Sequence, residues 1–198
     1  MAITNGYITL AEFKLWADPP GTVFDANAND DSIIEKLIEA ASRRIDLMSG
    51  RRFYASTETH YFDIPSGREL RLRDDLLSVT TFLNGDGTTI SSSDYALVDY
   101  NITPYYAIRL TEYSSVNWQL SATSGTEKAL SIAGSWGYST TAPLDIQEAC
   151  FEIAKNAYNR RTGQGDQVAR ITAAGVVLSP ADIPGWIRDL MNNYKRIT

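Results

Sequence analysis

The apolar positions Ile34, Ile38, Ala41, Ile45 and Met48 recur at alternating spacings of four and three, the period of a helix packed along one stripe. Ser32 followed by Glu35 reads as a capping box, and Gly50 can take the left-handed conformation that ends a helix, so the pattern predicts a helix over residues 32–49. A shorter helix is expected before it, where Thr9-Leu10-Ala11-Glu12 again sets a threonine three residues ahead of a glutamate. Two more helical patterns lie near the other end. One runs from Pro143 and Leu144 through Ile146, Ile153 and Tyr158 to Arg160-Arg161; the other runs from Ile183-Pro184 through Trp186, Ile187 and Leu190 to Tyr194-Lys195-Arg196. For the last helix, Asp182 is the expected N-cap and Pro184 falls in the first turn.

From Thr57 the period changes to two. Thr59, Tyr61 and Asp63 alternate with His60, Phe62 and Ile64, and Leu70 and Leu72 alternate with Arg71 and Arg73, as in strands with one dry face. Val79 to Leu83 then runs into Asn84-Gly85-Asp86-Gly87, a hairpin-turn signal, because tight turns need positive backbone angles that glycine and asparagine adopt cheaply. Tyr95 to Val98, Ala107 to Leu110 and Lys128 to Ser135 are further strand candidates. The reading is an α+β fold. A framework of about four helices, residues 1–54 and 143–198, would carry an inserted antiparallel β-sandwich or barrel-like subdomain over residues 55–142. Residues 162–182 mix Gly163, Gly165 and Gly175 with Val168, Ile171, Val176, Val177 and Leu178. That stretch reads either as a mobile linker or as an apolar arm that orders on a neighbour.

Charge narrows the choice of partners. With 24 acids against 18 bases the formal net charge is −6, the wrong sign for gripping a phosphate backbone. Residues 55–142 hold ten acids and five bases, whereas residues 143–198 hold six acids and seven bases, so the acidity sits mainly in the middle. No apolar run approaches bilayer length and Met1 to Gly6 lacks the marks of a signal peptide, so a soluble protein made in a cytoplasm is expected.

The reactive side chains fall outside the usual catalytic constellations. The single histidine, His60, lies within an alternating strand pattern and reads as structural; the single cysteine, Cys150, reads as a small buried residue on its helix. One cysteine and one histidine make no zinc ligand set, and Asp30-Asp31 and Asp74-Asp75 lack the alternation of a calcium loop. Gly163-Gln164-Gly165 follows a helix rather than opening one, so it reads as a helix stop and not a phosphate loop. No catalytic residue, cofactor or metal is expected, and Trp118, Trp136 and Trp186 read first as core anchors.

The order of these pieces resembles the head-tail connector proteins of tailed bacteriophages, also called adaptor or head-completion proteins, in the longer branch with a β insertion. The resemblance rests on Thr9-Leu10-Ala11-Glu12, the Asp-Asp ahead of Glu39-Ala40-Ala41, the Gly50-Arg51-Arg52-Phe53 exit, Ala133-Gly134-Ser135-Trp136-Gly137-Tyr138 before Pro143, and the closing Ile183-Pro184 helix. It implies a non-enzymatic virion protein of the head-tail interface, assembled in the host cytoplasm. Such a protein forms a ring of about twelve copies beneath the portal, extends the DNA channel without specific DNA binding, and offers a surface to the next neck, stopper or tail protein. Neither a membrane nor a cofactor is implied. Two other readings stand beside it: an adaptor-borne carbohydrate- or protein-binding module, and a cell-wall hydrolase.

For the ring reading, the polar faces of the helices at 32–49 and 143–161 are the expected subunit contacts, with Glu35, Glu39, Arg43, Arg44, Arg51, Arg160 and Arg161 upon them. The portal-side contact is expected in the least acidic third of the chain. There Val176, Val177 and Leu178 have no obvious partner in their own loop, Trp186 and Tyr194 offer large anchors, and Arg188, Lys195 and Arg196 supply charge.

Overall fold

Thr9 caps the first helix, α1 (Leu10–Ala17), with both halves of the capping box formed: Glu12 N donates to Thr9 Oγ1 at 3.2 Å and Thr9 N donates to Glu12 Oε2 at 2.7 Å. A computed structural model describes residues 3–18, 30–162, 170–171, 177–178 and 183–196. The chain divides into two units, Met1–Gly50 with Ala142–Thr198, and Arg51–Thr141.

The helical unit contains α1, α2 (Asp31–Ser49), α3 (Leu144–Thr162) and α4 (Gly185–Tyr194). α2 buries Ile34, Ile38, Ala41 and Ile45 as its periodicity requires, and Ser42 and Ser49 join them by donating to the carbonyls of Ile38 and Ile45 at 2.8 and 3.0 Å. Met48 is only half-buried. Gly50 ends the helix with φ 68°. The capping box expected at Ser32 and Glu35 does not form: the helix begins one residue before Ser32, with Asp30 as its N-cap. Asp30 makes no side-chain cap bond, because its carboxylate accepts instead from Tyr158 Oη of α3 at 2.9 Å. α3 faces α2 with Ile146, Ala149, Cys150, Ile153, Ala154 and Tyr158.

α4 adds Ile187 and Met191 to this core and packs on α2. Its start corrects the expectation: Pro184, at φ −54° and ψ 147°, is the N-cap itself rather than a first-turn residue, and Asp182 lies outside the described residues. Extended ψ at the proline postpones helical geometry to Gly185. Within the same unit β6 (Arg170–Ile171) pairs antiparallel with β7 (Val177–Leu178).

The second unit holds β1 (Ser56–Phe62), β2 (Glu69–Leu83), β3 (Tyr95–Val98), β4 (Tyr105–Leu110) and β5 (Leu130–Trp136) in one antiparallel sheet, ordered β1-β5-β2-β4-β3. Sequence separated Leu70–Leu72 from Val79–Leu83, but both belong to one strand of 15 residues. Its first half pairs with β4, from Glu69↔Arg109 to Leu76↔Tyr105, and its second half with β5, from Leu76↔Trp136 to Leu83↔Ser131. Register shifts accompany the change of partner, and bulges of this kind bend a strand without ending it. The bend gathers Phe62, Leu70, Leu72, Phe82, Ile108, Leu130 and Trp136 into one core.

The Asn84–Gly87 turn forms, with Gly87 N donating to Asn84 O at 2.9 Å. Its return leg is only a bridge at Leu83↔Thr89, after which β3 pairs with β4 instead. Asn84 is buried and holds the loop beyond it, donating to Asn117 O at 2.9 Å and accepting from Gln119 N at 2.9 Å.

Candidate functional site

A reactive centre would show as a cluster of titratable groups, and the described residues hold one chain of them. Glu58 accepts from Arg52 Nη1 at 2.8 Å, from Ser56 Oγ at 2.6 Å and lies 2.9 Å from His60 Nε2. His60 Nδ1 is 3.3 Å from Asp74, and its ring stacks on Trp136 at 4.0 Å. Hydrogen bonds from Arg52 first, then His60 and Ser56, hold the Glu58 carboxyl down to about 2. Its members bond chiefly to one another, so the chain ties β1 to β2 and to Trp136 as a structural clasp. Among the described residues no group of three or more His, Cys, Asp or Glu is placed to hold a metal ion. Cys150 is fully buried, and burial pushes its thiol up to about 11.

The residues expected at a subunit contact fall into two sets. Glu35, Glu39 and Arg44 are half-buried on α2, while Arg160 and Arg161 are exposed in the last turn of α3. Arg43 and Arg51 are turned to the fold. Arg43 donates to Asn5 O at 2.9 Å, pairs with Asp46 at 3.0 Å and lies over the Tyr7 ring. Arg51 meets the buried Asp75 with both carboxylate oxygens at 3.1 Å, and its guanidinium sits 5.2 Å from the Tyr138 ring centre. Its 18% exposed side chain is an internal counter-charge for a buried acid.

At the C-terminal end, Trp186 in the first turn of α4 is 41% exposed, Arg188 and the C-cap Lys195 are exposed, and Ile187 and Met191 face inward. Arg196 is half-buried. Tyr194 is drawn to α3, donating to Asp145 at 2.9 Å. Val176 lies outside the described residues. Val177 and Leu178, expected to lack a partner in their own loop, pair through their backbone with Ile171 and Arg170.

Sequence reasoning missed a cleft of about 780 Å³ in the β unit, whose lining includes Tyr61, Ile64, Arg68, Arg71, Arg73 and Lys128. The signal was present in the run Arg68-Glu69-Leu70-Arg71-Leu72-Arg73, three cations within six residues of an otherwise acidic segment.

No helix of the described residues is long and apolar enough to cross a membrane. No family profile matches the sequence, and no curated protein matches it. Solved structures do. A chain in the neck of an empty gene transfer agent (GTA) particle computed with C6 symmetry matches with a TM-score of 0.65 at 16% identity, over 100% of this chain and 94% of that one. A chain in the virion of the native GTA particle matches with a TM-score of 0.63 at 16% identity, again over 100% and 94%. At this identity the likeness is one of fold, and it runs the whole length of this chain and nearly all of the other: this protein has the fold of those particle chains.

Proposed function

We propose that this chain is a structural neck protein of a tailed, phage-like particle: an adaptor that docks as a ring beneath the portal, extends the DNA channel and presents a surface to the next neck or tail protein. The observation that supports it is the end-to-end fold likeness to a chain in the neck of a C6-symmetric particle, with helical framework and β unit both included. A ring of about twelve copies is a multiple of that symmetry. Net charge of −6 suits a passage through which DNA moves without being held. The protein acts by assembly and not by catalysis, and its place is the virion.

The portal-side contact in this reading is the exposed part of α4, with Trp186 in its first turn as the apolar anchor and Arg188 and the C-cap Lys195 as its charges. The test is co-sedimentation of the purified protein with portal rings, followed by imaging of the complex. A closed ring stacked on the portal is expected. Arg188→Glu with Lys195→Glu should abolish co-sedimentation while the far-ultraviolet circular dichroism stays that of the parent. Binding restricted to one copy per portal subunit in isolation, with no ring on an intact portal, would overturn the adaptor reading; undiminished binding by the charge variant moves the contact to another face.

A further inference from the structure

A ring closed by rotation needs two different patches on each subunit, one to give and one to receive. The β unit has one receiving patch that stands apart in charge. Of the five cations in residues 55–142, four line the cleft, namely Arg68, Arg71, Arg73 and Lys128, whereas of ten acids only Asp63 and Glu69 do. Outside the cleft one cation faces eight acids. Both cleft acids are already engaged: Asp63 accepts from Lys128 N at 2.8 Å, and Glu69 accepts from Arg109 Nε at 3.1 Å. Arg68 is fixed by bonds to the carbonyls of Thr111 and Ser114 at 2.7 and 3.2 Å, while Arg71, 3.8 Å from Glu69, keeps 84% of its side chain exposed. Tyr61, Ile64 and Pro65 add an apolar lining to this cationic rim.

A giving patch of matching chemistry lies on the same unit. The turn from β3 to β4 presents Tyr100, 62% exposed, and Ile102, 66% exposed, next to the exposed acid Asp99. Asp99 and Tyr100 hold φ 77° and 42°, two adjacent non-glycine residues in the left-handed region. Tyr100 N donates to Leu97 O at 3.0 Å and Ile102 N to Asp99 O at 3.1 Å, which keeps the tip in this shape. Backbone held in so rare a conformation points to use of the tip. Within one copy, the tip joins β4 at Tyr105, and the cleft residue Arg71 pairs with Ala107, further along that strand.

We infer that the β3–β4 tip of one copy seats in the cationic cleft of the next, with Asp99 against the Arg71–Lys128 rim and Tyr100 and Ile102 on the apolar lining. The inference rests on the ring reading above and assigns the β unit its part in it. A second copy is favoured over DNA because a polyanion extends well beyond the Debye length of about 8 Å and would meet the acid around the cleft. A short tip meets only the cleft.

The test uses the full chain, with Arg71→Glu plus Lys128→Glu as a cleft-reversed variant and Asp99→Lys as a tip-reversed variant. A photo-crosslinking phenylalanine in place of Tyr100, irradiated at high protein concentration in low salt, should join one copy to residues 61–73 or 128 of another. Adducts should fall on the order of tenfold in the cleft-reversed protein and on raising the salt, and return when both reversals share one chain. Adducts confined to other segments, the absence of any intermolecular adduct, or failure of the double reversal to rescue would overturn the inference. Portal co-sedimentation of the same variants separates the two readings. Tip-to-cleft adducts in a protein that ignores portal rings leave this contact standing and remove the adaptor function, whereas portal binding without such adducts does the reverse.

Discussion

Trp136 shows how much a single residue organises here: fully buried, it donates its indole N–H to Glu58 O at 3.1 Å and offers its face to His60. Glu58 completes that clasp as an anion. Its folded value of about 2 lies below the usual 4.5, so its stabilisation is complete above about 4.5 and is lost as pH falls toward 2. With 38% of the side chain exposed, solvent screening holds this to about 1 kcal/mol. Glu58→Gln should therefore lower the urea midpoint at pH 7 slightly and flatten its decline between pH 4.5 and 2; identical acid limbs in parent and variant would refute the clasp. The Arg51–Asp75 pair is deeper, with Asp75 only 7% exposed. Arg51→Ala leaves that carboxylate without its main counter-charge and should cost about 3 kcal/mol in urea unfolding. Cys150 should resist a colourimetric thiol reagent at pH 8 in the native protein and react fully in denaturant, because its thiol is both buried and held far above that pH.

Among the elements, β2 is the one on which the β unit depends, since it serves β4 with one half and β5 with the other. Its passage past β5 needs Gly134, where an added Cβ would lie 2.1 Å from Ser78 O. That is backbone against backbone, with no side chain to move aside. Gly134→Ala should destabilise the protein by about 2–3 kcal/mol. Gly50, in contrast, has open space around it and needs only its positive φ, so Gly50→Ala should cost about 1 kcal/mol. Urea midpoints of the two variants, measured side by side, check the order; an equal loss would show that the close approach is relieved by a shift of the strands. At α4 the element is tied rather than loose, and Tyr194→Phe should remove about 1 kcal/mol with the Asp145 bond.

For the whole molecule, the division at Gly50 and Ala142 leaves each unit a hydrophobic core of its own. Residues 51–54 side with the strands, because Arg51 pairs with Asp75, Arg52 with Glu58, and Phe53 packs edge-on to Tyr138 at 5.3 Å. A fragment of residues 51–141 should then unfold cooperatively by near-ultraviolet circular dichroism, and a chain with those residues replaced by a glycine-serine linker should keep helical signal and a melting transition. Loss of cooperativity in both would show that the two cores depend on each other.

Local pattern alone determined the helices α1 to α4 and parts of the strands, though not the 74–78 stretch of β2 or the β6–β7 pair. The α2 stripe, the Thr9 capping box, the Gly50 stop and the alternation through β1 depend on neighbours a few residues apart, and those interactions are the same in any tertiary setting. What tertiary structure decided are the places where a distant residue outbid a local one. Asp30 and not Ser32 marks the start of α2, with Tyr158, 128 residues away, taking the Asp30 carboxylate. β2 runs unbroken because β4 and β5 take it in turn, and a bulge, invisible to a period-of-two pattern, absorbs the mismatch. Arg51 reads in sequence like any surface cation until Asp75 is brought beneath it. The cationic cleft is the same case at larger scale: Arg68, Arg71 and Arg73 are neighbours in sequence, but Lys128 and Tyr61 join them only when the sheet folds, since charge acts through space and not along the chain.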